Sequence, residues 1–141
     1  MFIATAALAS VQCGNGAAPA FQPVATVDQV MDAIVIPSSQ AIFDAVVYSN
    51  GELTASPKTD DDWFAVQMQA LAVAEAGNLL LIPPRAKDAE DWSTFSRAMN
   101  DAAVIVAKAA EAKDLDGLLD AGGKLYTTCT TCHAKYLEME E

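Results

Sequence analysis

The sequence predicts an all-α fold, an antiparallel up-down-up-down four-helix bundle, and three observations support that prediction. The 141 residues are 52% hydrophobic and rich in alanine, a good helix former. Apolar side chains recur every three to four residues along four segments, whereas no stretch alternates as a strand does. The links between these segments are short, which favours antiparallel neighbours around a single core.

The bundle domain is predicted to span residues 27–141, and residues 1–26 are predicted to be a disordered leader or tether. Residues 1–27 carry no charged side chain, and the short apolar run 2–9 resembles a secretory leader that lacks the usual positively charged n-region. The protein is therefore expected to be exported to the periplasm. No stretch is long enough for a transmembrane helix.

Two ways of processing this leader remain open. Cleavage at the A-x-A site Ala18-Pro19-Ala20 would discard Cys13 with the leader. Lipid attachment at Cys13, after cleavage behind Gln12, would instead anchor the domain to a membrane by acyl chains through a flexible tether.

The first helix is predicted to run from about Val27 to Tyr48, and Pro37 should kink it. A turn-rich segment, Ser49 to Pro57, ends it and leads to the second helix. The apolar stripe of the first helix comprises Val27, Val30, Met31, Ile34, Ile42, Ala45 and Val46.

The second helix is predicted to start at the acidic cluster 60–62, which suits the positive end of a helix dipole, and to run to about Ile82. Two prolines directly after it stop it. The third helix should run from Asp88 to about Ala112. Its core-facing residues are predicted to be Trp92, Phe95, Met99, Ala102, Val106 and Ala109.

The fourth helix is predicted to begin near Asp114 and to contain three glycines, which weaken a helix. These are Gly117, Gly122 and Gly123. They are expected either to let a macrocycle or a neighbouring backbone come close, or to mark a locally weak helix. Tyr126 is predicted to lie on the inner face of the helix.

The most informative part of the sequence lies near the end of this helix and reads Cys129-Thr130-Thr131-Cys132-His133. C-x-x-C-H is the attachment signature of c-type haem. Two thiols at that spacing can add to the two vinyl groups of one porphyrin, and the imidazole that follows can ligate the iron. Positions i, i+3 and i+4 share one helix face, so the three side chains point the same way. The sequence therefore predicts one covalent haem c.

Other uses of a C-x-x-C pair fit the sequence less well. A structural zinc site needs four cysteine or histidine ligands, but His133 is the only histidine and Cys13 the only further cysteine. A thioredoxin-like redox pair is expected within a βαβ pattern, which the flanking helical sequence lacks. A plain disulfide between Cys129 and Cys132 remains the simplest alternative.

Four helices with this motif on the last one resemble the class II c-type cytochromes, which comprise the cytochrome c-prime family and its low-spin relatives. The resemblance covers about residues 27–138, and its one specific motif is C-x-x-C-H followed by Tyr136. It implies thioether attachment at Cys129 and Cys132 and proximal ligation by His133. Because family members are often dimers through their first two helices, it also implies a homodimer.

The sixth ligand of the iron is expected to be the thioether of Met31. Met31 lies about four residues into the first helix and His133 about five residues before the end of the fourth, so an antiparallel bundle puts them at similar heights. Low-spin members of the family also place their axial methionine in the first helix. The alternative is that Met31 only fills the core. Met68 belongs at the opposite end, Met99 lies a turn or two deeper, and Met139 follows His133 on the same helix.

Two functions remain open for such a haem protein. In the first, it is a one-electron carrier with His133 and Met31 as ligands. In the second, it is a five-coordinate haem module that binds nitric oxide or carbon monoxide, although the family members that bind gases often carry an arginine where this chain has Leu137. An enzyme is not expected, since no distal histidine or arginine constellation is evident. Tyr126, one turn before Cys129, is expected to be the aromatic residue nearest the porphyrin.

The net charge is -11, which makes nucleic acid and anionic lipid surfaces poor partners. A redox partner protein with a basic docking patch is expected instead. Its association with this chain should weaken as salt is added.

Overall fold

The structure, a computed structural model, describes residues 21–137, and four helices form most of this part of the chain. They comprise residues 27–44, Asp60–Leu80, Asp91–Glu111 and Leu115–Tyr136. Helices that are consecutive in the sequence pack against each other, and all four contribute side chains to one core. The predicted fold of four helices is confirmed at this level. Cys13 and both predicted processing sites lie outside the described residues.

Contacts between helix ends establish the direction of the first three helices. The buried guanidinium of Arg85, which follows the second helix, donates from Nε to the backbone oxygen of Ala25, just before the first helix, at 2.9 Å. The indole Nε1 of Trp92, at the start of the third helix, donates to the backbone oxygen of Leu80, at the end of the second, at 2.8 Å. The first helix therefore begins where the second ends and the third begins.

The fourth helix ends at this same end of the bundle. The hydroxyl of Tyr136 donates to the carboxylate of Asp88, just before the third helix. At the opposite end, Lys113, after the third helix, forms an ion pair with Asp60 at the start of the second, with 2.7 Å between Nζ and Oδ1. Successive helices therefore run in opposite directions, and the start of the first helix lies at the same end as the finish of the fourth.

The first helix changes its geometry near its start. Val27–Val30 and Ile36–Asp44 are α-helical, whereas Met31–Val35 form a π-helical turn in which the N–H of Ile36 donates to the backbone oxygen of Met31. Pro37, which has no N–H group, follows directly. The irregularity expected at this proline takes the form of a wide turn just before it, and such turns are frequent at functional sites.

A short β-hairpin begins where the sequence predicted the last turn of the first helix. The helix ends at Asp44 rather than at Tyr48, and the strand Val47–Ser49 pairs antiparallel with Glu52–Ala55. The prediction that no stretch forms a strand was therefore wrong for these residues. Their connection is the dipeptide 50–51, whose φ angles of 51° and 83° are the positive values that a type I′ hairpin turn requires.

Candidate cofactor-binding cleft

A cleft of about 490 Å³ opens between the first, third and fourth helices. It lies towards the end of the bundle where the first helix begins and the fourth ends. Its volume falls within the range of small-molecule and cofactor sites, roughly 300–1,000 Å³. Most of its wall is apolar, with a few polar side chains, as is typical of such sites.

The fourth helix contributes the C-x-x-C-H motif to this cleft. Cys129, Cys132 and His133 all line it, as residues on one helix face should. Both thiols are partly buried and are not joined by a disulfide. Burial raises the pKa of the Cys129 thiol, and burial together with the neighbouring Cys129 raises the pKa of Cys132. Because reactive redox pairs depend on a lowered thiol pKa, this environment does not favour a thioredoxin-like role.

The first helix brings Met31 to the same cleft as His133. Met31 opens the π-helical turn and is partly buried. Met99 of the third helix, which was predicted to face the core a turn or two deeper along the bundle, also lines the cleft and is only 7% exposed. Met68 is exposed and does not line the cleft, and Met139 lies outside the described residues. Two methionines, rather than Met31 alone, therefore line the cleft together with the motif.

Tyr126 lines the cleft, but it is not the inner-face residue that the sequence predicted. It is 58% exposed. Its ring packs edge-on against that of Phe43 on the first helix, with 5.8 Å between the ring centroids. Tyr126 therefore lies at the margin of the cleft, where this contact joins the first and fourth helices.

The third helix forms a wall of the cleft with side chains that were predicted to face inward. Trp92, Phe95 and Met99 line it, and their spacing of three and four residues was the available signal. The ring of Tyr136 packs edge-on against Trp92 and Phe95, with centroids 5.0 Å and 6.1 Å away. These aromatic contacts hold the end of the fourth helix against the start of the third.

Polar contacts strengthen the same junction. Partial burial and the hydrogen bond to Asp88 raise the pKa of Tyr136 to about 12, and this bond also lowers the pKa of Asp88. Lys135 forms an ion pair with Asp91 in the first turn of the third helix. The side chain of His133 is therefore carried by a helix end that several contacts immobilise.

Ser39 provides a polar group of the cleft that has no hydrogen-bond partner. It is 6% exposed, and its Oγ is the one buried side-chain nitrogen or oxygen atom without a partner among residues 21–137. The hydroxyls on the fourth-helix wall are paired within their own helix. Thr128 donates to the backbone oxygen of Leu125 at 2.7 Å, and Thr130 donates to that of Thr127 at 3.0 Å.

The glycines of the fourth helix do not line the cleft. A Cβ built at Gly122 or Gly123 would meet no atom within 4 Å, so no neighbouring backbone makes the close approach that was considered for them. At Gly117 a Cβ would overlap the carboxylate of Asp114, which accepts from the backbone N–H of Gly117 at 3.0 Å and so caps the helix. Helical geometry is continuous through all three positions.

No protein family, curated protein or solved structure compared with the chain matches it. Within the part of the chain that the structure describes, no group of three or more histidine, cysteine, aspartate or glutamate side chains could hold a metal ion. None of the helices there is long and apolar enough to cross a membrane. The functional argument therefore rests on the motif and on the cleft that it lines.

Proposed function

We propose that the protein is a periplasmic c-type cytochrome of the class II kind that carries single electrons, with one haem c bound in the cleft. Cys129 and Cys132 would hold the haem through thioethers, and His133 and Met31 would ligate its iron. When bound, the haem supplies an iron that takes up and releases one electron as it cycles between the ferric and ferrous states.

One observation carries this proposal: the complete C-x-x-C-H motif lines an apolar cleft of cofactor size, which Met31 lines from another helix. A motif on an outer helix face would leave a porphyrin without a pocket. Here the two attachment thiols, the imidazole and a thioether share one cavity.

The walls of the cleft suit an electron carrier. Val35, Trp92 and Phe95 line it with apolar side chains, and a low-polarity surrounding favours the less charged, ferrous state of a haem iron. A methionine ligand acts in the same direction, because His/Met ligation raises the reduction potential. The walls and the Met31 thioether should therefore both keep the potential high.

The charge of the chain supports a basic partner. Asp28 and Asp32 are exposed on the first helix where it lines the cleft, and the whole chain has a net charge of -11. A redox protein with a basic docking patch would be attracted to this surface. Its association rate with the cytochrome should fall as the salt concentration rises.

The decisive experiment is maturation of the protein in a host that has c-type haem assembly machinery. The purified protein should gain the mass of one haem and keep its colour through acid-acetone extraction. The double variant Cys129→Ser/Cys132→Ser, prepared in parallel, should lose its colour. If the extracted wild-type protein also loses its colour, the attachment proposal is wrong.

Optical spectra of the same sample test the carrier function. Sharp low-spin bands in the reduced protein, with a methionine-to-iron charge-transfer band in the oxidised protein, are the expected result. A broad high-spin spectrum that changes at once with carbon monoxide would overturn the carrier function and favour a haem module for nitric oxide or carbon monoxide.

A further inference from the structure

The hydroxyl of Ser39 differs from the threonine hydroxyls of the cleft, because it makes no hydrogen bond. Serine in a helix ordinarily satisfies its hydroxyl on the backbone oxygen three or four residues earlier, and Thr128 and Thr130 of the fourth helix bond to the oxygen three residues earlier. Ser39 makes no such bond and is 94% buried, since its exposed fraction is 6%. An unpaired buried hydroxyl is unfavourable, so a partner inside the cleft would stabilise it.

The Ser39 hydroxyl has no hydrogen-bond partner in the protein, and its neighbours on the first helix do not supply one. Its neighbour Gln40 also lines the cleft, but the Gln40 amide already donates to Asp44 Oδ1 at 2.9 Å. Ser38 is equally buried, at 5% exposed, yet it does not line the cleft. Of these two adjacent serines, only Ser39 therefore faces the space in which a ligand would sit.

The position of Ser39 along the first helix indicates which atom of a haem it would meet. Ser39 follows Met31 by eight residues, which is roughly 12 Å along a helix axis. If Met31 ligates the iron, Ser39 is too far away to contact a ligand bound at the iron. The other strong hydrogen-bond acceptors of a haem are the two carboxylates at its edge.

We propose that Ser39 positions the haem by donating a hydrogen bond from Oγ to one of the two haem carboxylates. This inference rests on the proposed function. Ser39 acts on the bound group and not on the iron, so it should affect the ionisation of the carboxylate and leave the iron ligands unchanged.

The test compares the matured wild-type protein with Ser39→Ala and with the matched control Ser38→Ala. The reduction potential is measured as a function of pH, because a carboxylate near the iron changes the potential as it ionises. The pH at which the potential changes, the inflection of this curve, reports the pKa of the carboxylate. A hydrogen bond to the ionised form lowers that pKa, so its loss in Ser39→Ala should move the inflection to higher pH by about one unit. Ser38→Ala should leave the inflection where the wild-type protein has it.

Other titratable side chains also line the cleft, namely Asp28, Asp32, Tyr126, Cys129, Cys132 and His133. No titratable side chain of the second or third helix lines it. All of these groups are present in the three proteins, so a difference between the two serine variants reports the Ser39 hydroxyl.

The outcomes separate this inference from the proposed function. Absence of covalent haem from the wild-type protein overturns both. A loaded Ser39→Ala protein with an unchanged inflection, or with no inflection in either protein, overturns the role of Ser39 alone. An equal shift of the inflection in Ser38→Ala also overturns the role of Ser39. The same holds if Ser39→Ala changes the spin state or the carbon monoxide affinity but does not shift the inflection. If Ser39→Ala does not fold, Ser39→Cys takes its place, because it nearly keeps the volume of the side chain but donates only weakly. Its inflection should lie at higher pH than the one shared by the wild-type protein and Ser38→Ala, and an unchanged inflection overturns the role of Ser39.

Discussion

The hydroxyl of Tyr136 donates a hydrogen bond to the carboxylate of Asp88, and this contact joins the end of the fourth helix to the start of the third. Asp88 also accepts from the backbone N–H of Trp92 at 2.9 Å, so one carboxylate both caps the third helix and holds the fourth. His133 lies about one turn before Tyr136. The contact therefore restrains the part of the helix that carries the haem motif.

Tyr136→Phe should lower the melting temperature by a few degrees at neutral pH, because the ring remains and one hydrogen bond is lost. The pKa of Tyr136 is raised from 10.0 to about 12 in the folded protein. Its contribution to stability is therefore complete below pH 10 and is lost as the pH rises towards 12. Thermal melts of both proteins across this range should show the difference narrowing.

Tyr48→Phe is the control for this prediction, since Tyr48 is exposed and lies on the hairpin rather than at the end of the fourth helix. It should change the melting temperature little at any pH. A difference between wild type and Tyr136→Phe that stays constant up to pH 12 would contradict the assigned role of the hydroxyl.

Met31→Ala should convert the spectrum of the matured protein towards high spin, admit carbon monoxide and lower the reduction potential. Met99→Ala is the matched comparison, because Met99 lines the same cleft from the third helix. It should leave the spin state unchanged and lower the free energy of unfolding by about 2–5 kcal/mol, the usual effect of a cavity in a core. Absorption spectra and thermal melts of both variants distinguish the two sulfur atoms. The reverse pattern would assign the ligand to Met99.

The two attachment residues and the imidazole should differ in their effects on haem content. Cys129→Ser or Cys132→Ser should leave one thioether and a less stable holoprotein, whereas His133→Ala should abolish normal ligation. Haem content, measured as absorbance per protein, should remain near wild type in the control Thr130→Ala. Equal haem content and stability in all four variants would show that the motif does not attach the haem.

Two glycine positions should respond in opposite directions to alanine. A Cβ at Gly77 would overlap the side chain of Asn100 and lie 3.0 Å from the backbone oxygen of Ser96, so Gly77→Ala should destabilise the packing of the second helix on the third. Gly123 is exposed and has no atom within 4 Å of a built Cβ. Gly123→Ala should therefore raise the free energy of unfolding by about 0.5–1 kcal/mol. Stabilisation by both substitutions, measured by denaturant unfolding, would contradict the close packing at Gly77.

The helix boundaries were predictable where local chemistry defines them. Thr59 and the acidic residues after it form a capped first turn, and Asp114 caps the fourth helix, so both starts could be read from the sequence. The end of the first helix could not be read in this way, because Val46 and Val47 continue its apolar spacing. The Asn-Gly pair that follows was the overlooked signal for a hairpin.

The walls of the cleft were only partly predictable. Periodicity identifies which side chains of a helix point inward, but it does not say whether they meet another helix or an open space. The pattern therefore predicted that Phe95 and Met99 face inward, but it did not show that they line an open cleft. The missing partner of Ser39 was not predictable, because the identity of a residue does not show whether its hydroxyl finds a hydrogen-bond partner.

The π-helical turn makes the site depend on the length of the first helix as well as on its residues. In a regular α-helix, Met31 and Ser39 would differ by about 80° around the axis, since each residue advances by about 100°. Counting the wide turn as one inserted residue reduces that difference to about 20°, so both side chains can line one cleft. Insertion of one further residue between them, with the wide turn retained, would rotate Met31 by about 100° relative to Ser39. Such a change of helical register would disable the site, although every residue assigned to it would still be present in the chain.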